Sequence, residues 1–137
     1  MVDAQRELVR AWLAKAASDL KSAGILSSAE EAPLDTAIYH CQQAAEKAVK
    51  AFLLSRGVTP DKTHDVRHLT LRASRLEAKF SEYINSAAVL TPYAWEFRYP
   101  VDLAETYPTC EEFGEASRHA QSIYDFVLTL IPAEARP

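Results

Sequence analysis

The sequence has few of the residues that build disulfide frameworks, metal sites and phosphate-binding loops. Its 137 residues include two cysteines and three glycines. Cys41 and Cys110 belong to no CxxC pair, so we predict that both are reduced, buried thiols. No P-loop, GxGxxG, G-x-S-x-G or HExxH pattern is present, which excludes the enzyme classes that these motifs mark. We therefore predict no metal and no cofactor.

Long apolar runs and an excess of positive charge are also missing. No segment approaches the roughly 20 apolar residues of a transmembrane helix, and MVDAQRELVR at the start carries charges where a signal peptide is apolar. We expect no membrane attachment and a cytoplasmic location. The net charge of −4 excludes a broad electrostatic surface for duplex DNA. A length of 137 residues predicts one domain over residues 1–137, large enough to bury a core without disulfides or metal. The 48% of hydrophobic residues is ordinary for a soluble globular protein.

The stretch from Thr36 to Leu54 is the one against which we expect the rest to pack. Two stripes recur in it at three- and four-residue steps, which predicts a helix. The apolar stripe consists of Ile38, Cys41, Ala45, Ala48, Val49 and Phe52. The polar stripe consists of Tyr39, Gln43, Lys47 and Lys50. A solvated face would need only Glu/Lys pairs, so a phenol, an amide and two amines favour a binding surface.

Apolar periodicity and capping signals predict four further helices. The first covers about residues 3–26, a short one covers 65–75, and one covers 81–98 with an interruption at Thr91 because Pro92 lacks a backbone N–H. The last follows a Thr109–Glu112 capping box, after a loop at 101–108. Gly57 is placed to end the central helix. The whole predicts an all-α fold, a four-helix up-and-down bundle with one short extra helix. The inner face of the first helix is predicted to carry Leu8, Trp12, Ala16, Leu20 and Ala23.

Four segments of the chain resemble the signature of the HEPN domain family. YHCQQAAEKAVKA at 39–51 is similar to its aromatic-QQA-EK-K-A pattern. AASDLKSA at 16–23 resembles A-x-x-D-L-x-x-A, and THD at 63–65 with Leu69 resembles the T-H-D start of its short third helix. Tyr93-Ala94 and Arg98-Tyr99-Pro100 resemble the end of its fourth helix. These segments follow one another in the family order, so the resemblance implies a HEPN-like helical domain.

The resemblance also has implications for activity. Many HEPN ribonucleases carry an Arg-x4-6-His motif, in which the His moves a proton from a 2′-hydroxyl and the Arg holds the phosphate. Arg98 occupies the position of that Arg, but residues 99–105 contain no His. The chain therefore resembles the HEPN branch that lacks the motif and accompanies a small nucleotidyltransferase in toxin–antitoxin-like pairs. This implies a homodimeric, non-enzymatic module that binds a nucleotide or that protein partner through Tyr39, Gln43, Lys47, Lys50, Arg98 and Tyr99.

Two other functions stay open at this point. One is a metal-independent RNA endonuclease, in which Arg98 acts on RNA with His40 or His64 in place of the usual histidine. The other is a plain helical interaction protein, in which the family signature only maintains the packing and the dimer. A neighbouring gene for a small nucleotidyltransferase would favour the binding module, and growth arrest on expression that is relieved by mutating a His would favour the endonuclease. Dimerisation without any ligand would favour the interaction protein.

The polar residues of the bundle also have a purely structural interpretation. Lys50 could pair with Glu46, which lies one helical turn before it. Arg98 could neutralise Glu46 or Asp19 inside the bundle, in which case it would stabilise the fold and would not bind a ligand.

Overall fold

Helices make up all the regular structure that we describe. The computed structural model describes residues 1–100 and 107–137, and these ranges contain no β-strand. The α-helices are α1 (Asp3–Ser27), α2 (Leu34–Ser55), α3 (Val66–Ser74), α4 (Ile84–Leu90) and α5 (Cys110–Leu130), and short 3-10 helices cover Ala78–Tyr83, Thr91–Ala94 and Ala133–Ala135. The predicted all-α class is confirmed. Each helix in the described ranges is too short or too polar to cross a membrane. The predicted loop at 101–108 falls largely on residues 101–106, which lie outside the described residues.

α2 lies at the centre of the domain. All six residues of its predicted apolar stripe are fully buried, so that inner face is confirmed. Ala37, Ala44 and Ala51 are buried as well, and their small side chains let neighbouring helices approach closely. α2 contacts every other α-helix. The helix is therefore largely surrounded by the rest of the chain. Within its polar stripe, Tyr39, Gln43 and Lys47 are partly exposed, whereas Lys50 is buried.

α1 packs antiparallel to α2. At one end the Gln5 amide donates a hydrogen bond to the Leu54 carbonyl over 2.7 Å. Nearer the other end, Asp19 of α1 contacts His40 of α2. The residue numbers therefore rise along α1 as they fall along α2, which is the arrangement expected for consecutive helices of an up-and-down bundle.

Residues 78–98 and α5 also pack along α2, and they continue this alternation of direction. Residues 78–98 run back along α2, from Phe80, whose ring lies 4.6 Å from that of Phe52, to Arg98, which lies over Tyr39. α5 then starts beside the beginning of α2, where the hydroxyl of Tyr107 lies 3.1 Å from a carboxylate oxygen of α2. The order of directions is that of an up-and-down bundle, as predicted.

The segment at 78–98 is less regular than the helix that was predicted at 81–98. α4 covers only its middle and is flanked by two 3-10 helices. α4 ends at Leu90, just before Pro92, which removes a backbone donor, so the predicted interruption is confirmed. The predicted continuation to Arg98 is wrong. The chain turns after Ala94, and Phe97 takes a φ of 68°, a left-handed conformation that ends helical geometry.

The first half of α1 is rotated from its predicted face. Val9 and Leu13 are fully buried, whereas Leu8 is 48% exposed. Trp12 is only partly buried, and its ring lies at the edge of the core. The prediction of an inner Leu8 is wrong because two apolar rows lie side by side on this helix, whereas Trp12 and Leu20 pack against the core and Ala16 and Ala23 are buried, as predicted. Periodicity alone does not decide which row faces the core.

Both predicted helix ends have the expected geometry. Gly57 has a φ of 75°, and the N–H of Val58 donates to the Leu53 carbonyl over 3.0 Å, which closes α2 with a Schellman motif. At the start of α5, the Thr109 hydroxyl accepts from the Glu112 N–H over 3.0 Å, and the Glu112 carboxylate accepts from the Thr109 N–H over 3.1 Å. This is the predicted capping box.

Candidate functional site

The predicted binding residues separate into two groups along α2. Tyr39 lies near the start of the helix, where Arg98 lies over its ring and Tyr99 lies beside Arg98. Lys47 and Lys50 lie about 12 and 16 Å further along the helix axis, given the rise of about 1.5 Å per residue. The structure therefore brings together Tyr39, Arg98 and Tyr99, and it leaves the two lysines at a separate place.

Tyr39 and Arg98 of the first group line a small cavity that we call the Arg98 pocket. Its volume is 240 Å³, and its walls are Asp35, Thr36, Tyr39, Phe97 and Arg98. The guanidinium carbon of Arg98 lies 4.2 Å from the centre of the Tyr39 ring and 5.4 Å from that of Tyr99, as in cation–π contacts. One of its N–H groups donates to the Ala94 carbonyl over 3.2 Å. These contacts hold an exposed guanidinium at the wall of the cavity.

Lys47 belongs to an ion cluster between α1 and α2, formed by Asp19, His40 and Lys47, that we call the Asp19 cluster. The Lys47 ammonium donates to one carboxylate oxygen of Asp19 over 2.6 Å. The other oxygen lies 2.8 Å from His40 Nδ1. The side chain of Asp19 is 10% exposed, while those of His40 and Lys47 are 28% and 22% exposed. The cluster therefore ties two helices together at the edge of the bundle, where its two nitrogen groups still meet water.

Lys50 belongs to a second cluster, formed by Glu46, Gln42, Lys50 and His64, that we call the Glu46 cluster. One carboxylate oxygen of Glu46 accepts from the Lys50 ammonium over 2.9 Å, as the structural interpretation predicted. The other accepts from the Gln42 amide over 3.0 Å and lies 2.9 Å from His64 Nδ1. Gln43 donates to the Gln42 side chain over 2.7 Å. The Glu46 side chain is 4% exposed, so its charge is balanced within the protein.

The predicted catalytic histidines lie in these clusters. His64 is held in the Glu46 cluster, away from the Arg98 pocket. His40 is held in the Asp19 cluster, and its ring centre lies 6.1 Å from that of Tyr39, so Tyr39 has His40 and Arg98 as neighbours. The expectation that Arg98 neutralises a buried carboxylate is wrong. The carboxylates of both clusters are bonded to lysine, and Arg98 lies on an aromatic ring.

Three residues of this region carried no predicted binding or catalytic role. Asp19 was given no role other than as a partner of Arg98, although it is the acidic residue of the A-x-x-D-L segment and is 7% exposed. Gln42, fully buried, was not assigned at all. Trp12 was assigned to the core. An acidic residue on the inner face of an amphipathic helix was the available signal for Asp19, because such a residue needs a buried partner.

The two cysteines differ from one another. Cys41 is buried in the core, and burial raises the pKa of its thiol to about 12. The thiol therefore stays protonated at neutral pH and is a poor nucleophile. Cys110 is exposed at the first position of α5, so the prediction that it is buried is wrong. Over residues 1–100 and 107–137 no group of three His, Cys, Asp or Glu side chains is placed to hold a metal ion.

The fold and the site together define a small all-α bundle domain with polar clusters along its central helix. A family model of the HEPN domain matches residues 9–130 of this chain. The chain belongs to the HEPN domain family. No curated protein matches the chain significantly.

Two solved structures are similar to the domain over nearly its full length. The crystal structure of ST0689, an archaeal HEPN homologue, is 25% identical in sequence, with a TM-score of 0.72 and coverage of 90% of this chain and 98% of that chain. The crystal structure of TT1696 from Thermus thermophilus is 27% identical, with a TM-score of 0.77 and coverage of 91% and 99%. The similarity therefore covers about nine-tenths of this chain.

Proposed function

We propose that this HEPN domain is a non-catalytic module that binds a nucleotide in the Arg98 pocket. The observation that carries the proposal is the Arg98 guanidinium, held 4.2 Å from the Tyr39 ring at the wall of a 240 Å³ cavity. A planar guanidinium offers paired N–H donors that match the oxygens of a phosphate, and the aromatic contact fixes its orientation in advance. Small-molecule sites usually measure about 300–1,000 Å³, so this cavity would take the phosphate end of a nucleotide.

The other walls of the pocket support the same ligand. The pocket opens at the first turns of α2, where the helix dipole favours an anion. Thr36 contributes a hydroxyl, and Tyr99 next to Arg98 contributes an exposed ring on which a base could stack. Asp35 carries the opposite charge, and its carboxylate accepts from the Thr36 N–H over 2.9 Å. A phosphate would therefore lie on the Arg98 side, and sugar hydroxyls or a base amine would lie near Asp35.

This proposal assigns a structural role to the remaining residues of the polar stripe. Lys47 and Lys50 are each bonded to a buried carboxylate, and Gln43 is bonded to the Glu46 cluster through Gln42. If either lysine turned to bind a phosphate, its bond to the carboxylate would be lost. That carboxylate, at most 10% exposed, would then lack its main counter-charge. The proposed ligand site therefore contains fewer residues than the sequence predicted, because Gln43, Lys47 and Lys50 are not part of it.

The proposal includes protein partners as well. HEPN proteins without the ribonuclease motif, which this chain resembles, accompany small nucleotidyltransferases. We propose that the domain acts as a homodimer and supplies the nucleotide-binding half of such a toxin–antitoxin-like pair. The exposed position of Arg98 and Tyr99 supports this, because a bound nucleotide would remain accessible to a second protein.

A metal-independent RNA endonuclease is the second candidate, and one observation favours it. His40 and Arg98 both neighbour Tyr39, and a carboxylate at Nδ1 orients His40 as in many proton-transfer sites. Both groups would have to act on one phosphodiester, and the Tyr39 ring lies against Arg98. RNA cleavage by the parent protein that is lost in His40→Ala would favour this candidate over the binding module.

Calorimetric titration with AMP, ADP, ATP and GTP tests the proposed pocket. Arg98→Ala should weaken binding of the best of these nucleotides about tenfold or more, because charged hydrogen bonds contribute about 1.5–3 kcal/mol each. Arg98→Lys should recover only part of the loss, since an ammonium lacks the planar fork. The control is Arg75→Ala, which removes an exposed arginine at the end of α3 that does not line the pocket.

Thermal melts of the same variants separate binding from folding. Arg98 is exposed, so Arg98→Ala should melt close to the parent temperature. Absence of nucleotide binding by the parent protein, or equal losses in Arg98→Ala and Arg75→Ala, would contradict the Arg98 pocket. A large drop in melting temperature for Arg98→Ala would show instead that the residue stabilises the fold.

A further inference from the structure

The surface around Trp12 carries two cavities that adjoin each other along α1 and α2. One has a volume of 390 Å³ and is lined by Leu8, Ala11, Trp12, Lys15 and Lys47. The other has a volume of 380 Å³ and is lined by Leu8, Trp12, Lys50, Leu54, Pro60, Asp61 and Lys62. They share Leu8 and Trp12, so they form one continuous depression, which we call the Trp12 groove. Each volume lies in the range of about 300–1,000 Å³ that holds large ligand groups.

The floor of the groove is apolar and partly exposed to water. Leu8 is 48% exposed, although it lies on the longest helix of the domain and next to the buried Val9. The Trp12 ring packs on the core with one side and lines both cavities with the other. Tryptophan in a partly buried pocket is the residue type that most often anchors a protein partner. This region therefore offers two apolar pockets with a rigid aromatic wall between them.

The rim of the groove is basic. Lys15, Lys47, Lys50 and Lys62 surround it, and the Lys50 ammonium lies 5.8 Å from the centre of the Trp12 ring. Lys47 and Lys50 are balanced by the Asp19 and Glu46 clusters, and Asp61 is bonded to Arg72 over 2.8 Å. The surplus positive charge therefore comes from Lys15 and Lys62, both exposed. A domain with a net charge of −4 thus carries a locally basic rim around an apolar floor.

We infer that the Trp12 groove binds an acidic amphipathic helix of a partner protein. Leu8 and Trp12 line both cavities and lie four residues apart on α1, about 6 Å along its axis. Two apolar side chains at positions i and i+4 of a helix have the same axial spacing, so one helix that lies along α1 would contact both cavities. Acidic residues beside those anchors would then face Lys15 and Lys62.

Charge argues against a second copy of this chain in the same place. A symmetric dimer through the groove would put the same surface on both sides, so the lysine rims would face each other. Like charges facing each other across an interface are unfavourable. A nucleotide is also a poor match, because the floor is apolar and two of the four lysines are already bonded to carboxylates. An acidic amphipathic helix would bury its apolar side chains on the floor and place its carboxylates beside the lysines of the rim.

This inference goes beyond the nucleotide-binding function and does not depend on it. The Trp12 groove and the Arg98 pocket have no residue in common. They lie near opposite ends of α2, with Tyr39 at one and Lys50 at the other. Loss of nucleotide binding and loss of helix binding are therefore separate results.

Fluorescence anisotropy with labelled synthetic peptides tests the inference on the full chain. The probe is a helical peptide with leucines four residues apart and glutamates at the flanking positions. Two matched peptides carry lysine for glutamate or alanine for leucine. The acidic leucine peptide should bind at micromolar concentration, and each matched peptide should bind at least tenfold more weakly. Binding should also weaken as salt is added, because the rim contacts are exposed charges.

Two pairs of variants locate the binding. Leu8→Ser should weaken the acidic peptide at least tenfold, whereas Ile25→Ser, an equally apolar change at a 62% exposed position of the same helix, should have no effect. The double variant Lys15→Glu/Lys62→Glu should also weaken binding of the acidic peptide at least tenfold. The control is the double variant Lys21→Glu/Lys79→Glu, which should bind the peptide as the parent does. All of these positions are exposed, so the variants should fold.

Three results would overturn the inference. The first is equal binding of the acidic and basic peptides, or no binding of either. The second is a homodimer, seen by light scattering, that Leu8→Ser dissociates, since the groove would then be covered by a second copy. The third is displacement of the bound peptide by ATP in the parent and in Arg98→Ala alike, which would make the groove a nucleotide site.

Discussion

The Asp19 cluster and the Glu46 cluster contain the same three kinds of charged or titratable side chain but differ in where these come from. In the Asp19 cluster the acid belongs to α1, and its lysine and histidine belong to α2. In the Glu46 cluster the acid and the lysine lie one turn apart on α2, and the histidine follows in the segment before α3. One cluster therefore joins two helices, whereas the other joins a helix to the loop that follows it.

The two clusters also differ in their contact with water. Lys47 is 22% exposed in the first cluster, whereas Lys50 is 11% exposed in the second. A partly exposed lysine that loses its acid can be hydrated, but a buried one keeps an uncompensated charge. The same set of side chains should therefore contribute differently to stability in the two clusters, and the burial of the lysine should decide how much.

Removal of the acid from the Glu46 cluster should have the largest effect. Glu46→Gln keeps the shape of the side chain but leaves the Lys50 ammonium buried without a counter-charge. We expect the free energy of unfolding to fall by about 3–5 kcal/mol, measured by urea titration. As a control, Glu46→Gln combined with Lys50→Met should regain much of that loss, because the unpaired charge is gone. A loss below about 1 kcal/mol in the single variant would show that Lys50 reaches water without Glu46.

The same change in the Asp19 cluster should cost less. Asp19→Asn leaves two partly exposed partners that can turn towards solvent, so we expect a loss of about 1–3 kcal/mol in the same titration. Double-mutant cycles with Lys47→Ala would measure the pair itself. If Asp19→Asn destabilises the domain as much as Glu46→Gln does, then exposure of the lysine does not decide the cost of removing its acid.

The smallest effect should come from the exposed histidine of the Glu46 cluster. The His64 side chain is 70% exposed, and Glu46 keeps its bonds to Gln42 and Lys50 when the ring is removed. His64→Ala should therefore change the free energy of unfolding by less than about 1 kcal/mol, and the change should shrink in high salt. His68→Ala, at a nearby exposed histidine bonded to Asp61, is the matched control. A loss several times larger than in His68→Ala would show that His64 is needed to close the cluster.

Local interactions were the part of the site that the sequence predicted. Glu46 and Lys50 lie one helical turn apart, so their pairing follows from helix geometry alone. The register of α2, its end at Gly57 and the capping box at Thr109 are local for the same reason. Each is decided by residues within a few positions of one another, and no knowledge of the fold is needed.

Contacts between distant segments were predicted poorly. The Asp19–Lys47 bond depends on how far α1 slides along α2, which the sequence pattern does not specify. Arg98 was expected to approach α2 and does, but it meets Tyr39 because the chain turns at Phe97, beyond the end of the 3-10 helix. Leu8 was assigned to the core because two apolar rows lie side by side on α1 and the sequence pattern does not show which row is buried. In each case the answer depends on packing between helices.

The central position of α2 has a consequence for the slow opening motions of the domain. Every other α-helix packs against it, so α2 cannot unfold without exposing the rest of the core to water. Its amide hydrogens should therefore exchange with solvent only when the whole domain opens. The turn at 95–98, in which Trp95, Glu96 and Arg98 are exposed, should exchange far sooner. Hydrogen exchange would thus divide this small domain into a slow centre and a fast edge, and the Arg98 pocket lies where the two meet.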